Sequence, residues 1–132
     1  MVNEIRWKQR FQNFAKAYDR LSEGVKLESY DSLQEAGLIQ TFEFTFELGW
    51  KTLKDYLELS GFDAASPRDV IKQAFQAGFI SNGHLWLDAL DKRNLMSHIY
   101  DENIAQEVLM AIKNKYYALL QELYGFLQTK LS

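Results

Sequence analysis

Apolar side chains recur at spacings of three and four residues along most of this chain. The first stretch with this pattern contains Trp7, Phe11, Phe14, Tyr18 and Leu21. Such spacing matches the period of a helical turn, so these side chains would lie on one face of a helix. The pattern predicts a first helix of about five turns that ends near Ser22-Glu23-Gly24.

A second long helix is predicted from about Asp31 to Ser60-Gly61. Asp31 and Gln34 have the spacing of a capping box, which marks a helix start. Inside this helix, residues 42–47 alternate apolar and polar side chains, a pattern that alone would indicate a β-strand. We favour the helix because helical spacing continues on both sides and no turn signal brackets the segment.

Three further helices are predicted in the rest of the chain. Ser66-Pro67 combines a serine cap with a proline at the first helical position, and Gly78 ends that short helix. A turn at Asn82-Gly83 precedes a helix from Leu85 to about Tyr100. The last helix is long and runs from Asn103 to Lys130.

About five helices joined by short loops predict an all-α, up-and-down helical bundle, four-helix-bundle-like in its packing. The single proline suits long, uninterrupted helices. A chain of 132 residues can bury about two-thirds of its unfolded surface, which is enough for a proper core. No repeat or composition shift divides the sequence, so we expect one domain over 1–132.

Composition excludes several classes of protein. The chain has no cysteine, which removes disulfides, thiolate chemistry and zinc fingers and fits a reducing compartment. It shows no apolar signal sequence and no stretch long enough to span a membrane, so we expect a cytoplasmic protein with no membrane partner. The net charge of −3 argues against a broad electrostatic grip on nucleic acid, and DNA is not expected as a partner.

Residues 93–101 contain the most suggestive chemistry. At about 100° per residue, Arg93, Ser97 and Tyr100 fall on nearly one line of a helix, with Asn94, His98 and Asp101 on one flank. The same line begins with apolar residues one and two turns earlier, at Trp86, Ala89 and Leu90. Charge is rarely buried without a partner. This end of the helix therefore either opens into a cleft or interface, or forms a self-satisfied polar patch.

Other site chemistries fit the sequence poorly. His84 and His98 lie nearly four turns apart, too far to share a metal ion within one chain, and His84 reads as a helix-start or surface residue. Glycines are scattered rather than arranged in a phosphate loop, and no nucleophile elbow is present. Trp7, Trp50 and Trp86 occupy apolar stripes and are expected in the core. We expect neither a metal nor a cofactor.

Arg93 and His98 together suit metal-independent RNA cleavage. A histidine can transfer a proton near neutral pH, and a guanidinium can bind a phosphate and stabilise charge that builds up on it. Attack of a ribose 2′-hydroxyl on the neighbouring phosphate needs both a base and an acid. A symmetric homodimer would supply both by bringing together two copies of His98.

The pattern Arg-x-x-x-x-His-x-Tyr at Arg93, His98 and Tyr100 resembles the signature of the HEPN superfamily, in the branch paired with minimal nucleotidyltransferases. Most of the chain is similar to that branch, known as nucleotidyltransferase substrate-binding proteins. The ordered blocks that carry this resemblance are 40–53, 66–71, 74–80, 86–88 and 93–102. Gly49 and Ile99 depart slightly from the pattern, and neither touches the proposed chemistry.

The resemblance implies a homodimeric helical bundle with the motif in a cleft at or near the dimer interface, and a separately encoded minimal nucleotidyltransferase as partner. In related toxin–antitoxin pairs the helical protein is a ribonuclease, and its partner silences it by transferring AMP to the motif tyrosine. Carried over by position, Arg93 and His98 would be catalytic and Tyr100 would be the modified residue. Asn94 would be an auxiliary polar group, with Ser97 and Asp101 beside it on the same polar face.

Three functions remain open at this point. The chain could form the substrate- or nucleotide-binding half of a two-protein nucleotidyltransferase system, which its acidic balance favours slightly. It could be a ribonuclease toxin, which the intact Arg93, His98 and Tyr100 set favours. In the third alternative it is a non-catalytic helical interaction module, and the polar residues of 93–101 form part of an interface between subunits.

Overall fold

The structure is a computed structural model that describes residues 2–96 and 102–131. Within these ranges the regular elements are all helical, which confirms the all-α prediction. They are α1 (Val2–Val25), α2 (Ser32–Leu59), α3 (Pro67–Gln76), α4 (Gly83–Met96), α5 (Glu102–Ala111), a π-helical turn (Ile112–Tyr116) and α6 (Tyr117–Gln128). The last three follow one another without a break, so the predicted long last helix is present but contains a π turn.

The predicted starts of α2 and α3 and the predicted end of α3 are confirmed by local contacts and backbone conformation. The predicted end of the fourth helix near Tyr100 lies outside the described residues. The Asp31 carboxylate accepts the Gln34 backbone N–H at 2.7 Å, and the Gln34 side chain accepts the Asp31 backbone N–H at 3.0 Å. Ser66 Oγ caps α3 by accepting the backbone N–H of Asp69 at 3.1 Å. Gly78 follows α3 with φ of 81°, a left-handed conformation that glycine adopts without a steric penalty.

The strand-like segment 42–47 is helical, and its alternation has a simple explanation. Phe42 and Phe46, four residues apart, are 0% and 1% exposed and face the core. Glu43 and Glu47, also four residues apart, are half-buried on a neighbouring face. Phe44 between them is 61% exposed. Two interleaved i, i+4 pairs on adjacent helix faces therefore imitate a period of two.

Helices α1 and α2 pack in opposite directions. Arg6 and Arg10 near the start of α1 form ion pairs with Asp55 near the end of α2, at 3.6 and 3.4 Å. Asp55 is only 3% exposed, and its burial raises the pKa of the carboxyl group, while Arg10 and Arg6 act in the opposite direction. Helix α6 lies antiparallel to α1, with the Tyr124 ring stacked on Phe11 and Tyr18.

The core confirms the predicted apolar stripes. Trp7, Trp50 and Trp86 are 1%, 8% and 0% exposed, as expected for packing residues. Tyr116, in the π turn, is 1% exposed and donates its hydroxyl hydrogen to Asp88 of α4 at 2.6 Å. Because this tyrosine also stacks on Phe42 of α2, it ties α4 and the last helix to the centre of the bundle.

Candidate functional site

Arg93 lies in the last turn of α4, on the same side of the helix as a row of buried apolar residues. Trp86, Ala89 and Leu90, which precede it on this line, are 0%, 0% and 4% exposed. The Arg93 side chain itself is 28% exposed, so its stem packs against the bundle and its head group remains accessible. The row of buried apolar residues on α4 is thus followed by Arg93, a charged residue at the surface of the bundle.

Glu47 of α2 is the partner of Arg93. Its carboxylate forms an ion pair with the Arg93 Nη2 group. The same carboxylate accepts the indole N–H of Trp50 at 3.1 Å and lies 3.2 Å from the Lys51 ammonium nitrogen. Arg93 also donates from Nη1 to the Asn94 side-chain oxygen at 3.0 Å. Contacts from two helices therefore fix the direction of the guanidinium.

Glu47, Arg93 and Asn94 border an open groove between α2 and α4, which we call the Arg93 groove. It has a volume of about 400 Å³ and is lined by Gln40, Glu43, Phe44, Glu47, Arg93 and Asn94. A second depression of about 360 Å³ continues from it past Gln40 and Glu43 towards Met96 and Ala105. Each volume lies within the range of ~300–1,000 Å³ that is typical of small-ligand pockets.

The electrostatics of the Arg93 groove are mixed. Two carboxylates, Glu43 and Glu47, and one guanidinium line it. Burial raises the pKa of the Glu43 carboxyl group, while the Arg93 charge opposes this rise. With amide groups from Gln40 and Asn94 beside them, these residues can accept hydrogen bonds from hydroxyl or amino groups and bind one anionic group. The groove does not have the uniformly positive lining of a polyanion site.

The structure describes only part of the predicted cluster. It brings Arg93 and Asn94 together in the Arg93 groove. The predictions for Ser97, His98, Tyr100 and Asp101 lie outside the described residues, so the proposed line from Arg93 to Tyr100 stays a prediction. In the described ranges, no three His, Cys, Asp or Glu side chains are grouped so that they could hold a metal ion.

The α2 side of the groove was not predicted from the sequence. Gln40, Glu43 and Glu47 lie within α2 at spacings of three and four residues, which places them on one face of the helix. That spacing was the available signal, but nothing in α2 alone indicates that this face meets Arg93, 46 residues later along the chain. His84 lies in the first turn of α4 and is exposed, as predicted.

Comparison with known proteins gives one family. Residues 9–129 match the model of the family described as nucleotidyltransferase substrate binding protein like. A Haemophilus influenzae protein named probable ribonuclease HepT is 34% identical over 82 residues, which cover 58% of this chain. The same match covers 56% of that relative, little more than half of its length.

Two solved structures are similar to the whole bundle. A crystal structure from Thermus thermophilus superposes with a TM-score of 0.81 at 34% identity, covering 87% of this chain and 98% of the other. A Haemophilus influenzae structure superposes with a TM-score of 0.64 at 25% identity, covering 95% and 98% of the two chains. The latter is described as having the fold of a substrate binding domain of a nucleotidyltransferase. No helix in the described ranges is long and apolar enough to cross a membrane.

Proposed function

The chain belongs to the nucleotidyltransferase substrate binding protein like family, and on that basis we propose that it is the substrate-binding half of a two-protein nucleotidyltransferase system. Its partner would be a separately encoded minimal nucleotidyltransferase that supplies the catalytic half. The similar Haemophilus influenzae structure supports this division of labour, because it is described as a substrate binding domain. The fold alone does not specify the function, which depends on the residues that line the groove.

The observation that carries the proposal is the composition of the Arg93 groove. Arg93, held by Glu47 and Asn94, faces an opening of about 400 Å³ instead of being sealed in the core. The guanidinium offers a site for a phosphate or carboxylate of the substrate. Glu43 and Glu47 offer acceptors for a hydroxyl or amino group that is to receive the nucleotide. This mixture suits a small polar acceptor better than a long polyanion.

Nucleotide transfer by the partner enzyme tests this role. The full chain is mixed with the partner nucleotidyltransferase, labelled ATP and an acceptor. Transfer of the labelled nucleotide to the acceptor is measured with and without the chain. We expect Arg93→Gln to raise the KM for the acceptor by about tenfold or more, because it removes a hydrogen-bonding charge from the groove. Arg68→Gln is the matched control, since Arg68 is also ion-paired, to Asp91 at 2.8 Å on another face. Equal transfer by the two variants would refute the proposal.

A second candidate function is metal-independent RNA cleavage. The name of the relative, probable ribonuclease HepT, favours it, as does the accessible guanidinium of Arg93. In this function His98 would transfer protons and Tyr100 would accept AMP from the nucleotidyltransferase. A homodimer would bring the two motif copies together, and sedimentation analysis tests that assembly. The same analysis after limited proteolysis tests the proposal that 1–132 is one domain.

Growth and RNA integrity separate the two functions. The wild type, His98→Ala and the control His84→Ala are expressed with and without the partner. Growth arrest that His98→Ala removes and His84→Ala retains would establish the ribonuclease, whereas no arrest by the wild type alone favours the substrate-binding half. Intact mass after incubation with partner and ATP tests the modification, and an AMP adduct that persists in Tyr100→Phe would exclude Tyr100. If neither transfer nor cleavage is found, a non-catalytic interaction module remains.

A further inference from the structure

A separate depression adjoins the Arg93 groove on the surface formed by α1 and α2. It has a volume of about 290 Å³ and is lined by Asn13, Lys16, Ala17, Arg20, Phe44 and Leu48. We call it the α1 pocket. Phe44 also lines the Arg93 groove, so one aromatic side chain forms a wall shared by the two. A ligand that extends over Phe44 would therefore contact both.

The charge of the α1 pocket differs from that of the rest of the molecule. Two cationic side chains and no carboxylate line it, in a chain of formal net charge −3. Lys16 and Arg20 are exposed and lie four residues apart on α1, an arrangement of like charges that weakens a helix. Asp19 and Glu23 follow them on α1, but within the described part of the chain neither carboxylate forms an ion pair with them. The two charges are thus available to an anion.

The exposed ring of Phe44 indicates that a ligand of this pocket carries an aromatic group as well as an anion. Phe42 and Phe46 on the same helix are buried, whereas Phe44 is 61% exposed at the edge of the cationic pocket. Exposing an aromatic ring to water forgoes the stabilisation that its burial would give. An accessible ring beside cationic side chains is the combination that binds single-stranded nucleotides, because the base stacks on the ring and the phosphate pairs with the cations.

We propose that the α1 pocket binds one nucleotide unit, with its base stacked on Phe44 and its phosphate between Lys16 and Arg20. Asn13 would contact the sugar or the base edge. This inference rests on the proposed function, in which the neighbouring Arg93 groove binds a substrate. It adds that this substrate carries a nucleotide. The phosphate is placed in this pocket because Lys16 and Arg20 line it and no carboxylate does.

Binding measurements on the full chain test the α1 pocket. In one arm, fluorescence anisotropy follows a fluorescein-labelled single-stranded RNA of about six nucleotides; in the other, calorimetry follows AMP. We expect the double variant Lys16→Gln/Arg20→Gln to weaken RNA binding about tenfold. It should also reduce the slope of log K against log salt by about 0.7 for each phosphate that is no longer neutralised. Phe44→Leu should weaken binding about fivefold or more without changing this slope.

Matched variants control for charge and for the removal of an aromatic ring. Lys26→Gln/Lys72→Gln removes two exposed charges elsewhere, and Phe75→Leu removes a ring that is 50% exposed on α3. Both should bind like the wild type. A parallel decrease of RNA and AMP binding in the α1 pocket variants would show that a free nucleotide suffices, and a decrease of RNA binding alone would identify a strand as the source. Either result supports the pocket.

Two results would overturn the inference. One is equal binding by the wild type and the α1 pocket variants in both arms, including no binding by any of them. The other is a Phe44→Leu variant that changes only the sedimentation coefficient, which would mean that a second copy of the chain covers the ring. Arg93→Gln separates this inference from the proposed function: if Arg93→Gln impairs nucleotide transfer while the α1 pocket variants bind normally, only the inference fails.

Discussion

Two glycines inside α2 should respond in opposite ways to the same substitution. An alanine Cβ at Gly37 would meet no atom within 4 Å, whereas at Gly49 it would lie 3.1 Å from a Phe14 ring carbon and 3.4 Å from methyl groups of Leu120 and Leu123. Both positions are in the helix interior with ordinary helical φ. Replacement by alanine should therefore bring the same gain in helix propensity at each, and only the packing differs.

The size of each effect follows from this geometry. Gly37→Ala should raise the free energy of unfolding by about 0.5–1 kcal/mol, since alanine restricts the unfolded chain and favours the helix. At Gly49 this gain is opposed by overpacking, which typically costs about 1–3 kcal/mol. Phe14 is 0% exposed and its ring lies 6.3 and 6.4 Å from those of Tyr18 and Tyr124, so it has little room to move. We expect Gly49→Ala to destabilise the fold by about 1 kcal/mol.

Urea unfolding at a fixed protein concentration measures both variants against the wild type. The expected result is a higher midpoint for Gly37→Ala, a lower one for Gly49→Ala and equal slopes. Stabilisation of Gly49→Ala to the same extent as Gly37→Ala would refute the reasoning, because it would mean that α1, α2 and α6 separate to admit a methyl group at no cost. Destabilisation of both would instead show that the helical gain was misjudged.

Three further predictions concern polar contacts. First, burial raises the pKa of Asp55 against the opposing effect of Arg10 and Arg6. The folded chain therefore holds this proton more tightly than the unfolded chain, and the contribution of Asp55 to stability is greatest below the unfolded pKa and falls as pH rises through the folded pKa. Asparagine does not titrate, so the free energy of unfolding of Asp55→Asn minus that of the wild type should increase between about pH 3 and about pH 7. A decrease of this difference would show that the effect of the arginines on the pKa of Asp55 exceeds that of burial. Second, a double-mutant cycle with Arg93→Gln and Glu47→Gln should give a coupling of about 0.5–1 kcal/mol that weakens with salt, because these side chains are 28% and 29% exposed. No coupling would mean that Glu47 does not hold Arg93. Third, Tyr116→Phe should lower the free energy of unfolding by about 1 kcal/mol because it removes the 2.6 Å hydrogen bond to Asp88; unchanged urea unfolding would contradict this.

Local sequence signals were sufficient for the helices. Asp31 with Gln34 and Ser66 with Pro67 mark helix starts through contacts between residues at most three positions apart, and the structure contains those contacts. The π turn at Ile112–Tyr116 was not predicted. An apolar stripe continues through such a turn, and the change from one backbone hydrogen-bonding pattern to another leaves no distinct residue pattern.

The candidate site was predicted only from its own helix. The helical spacing of α4 placed Arg93 on the same line as the apolar residues Trp86 and Leu90, and both of these are buried. The identity of its partner depends on how α2 lies against α4, which is a long-range property of the bundle. Glu47 therefore could not be assigned to Arg93 before the structure was known. The same holds for the α1 pocket, which is lined by Lys16 of α1 and Phe44 of α2.

The groove gives a physical reason why two distant parts of this sequence carry the family resemblance. The block 40–53 supplies Glu47, which binds Arg93 from the block 93–102 and is itself held by the Trp50 indole and paired with Lys51. The guanidinium would be free to turn if Glu47 were absent, and a substrate group would then have to order it on binding. Trp50, which does not line the groove, can thus affect binding through Glu47 and the direction of Arg93. If the chain acts as the proposed substrate-binding half, Trp50→Phe, which removes only the indole N–H and part of the ring, should raise the KM for the acceptor more than it lowers kcat.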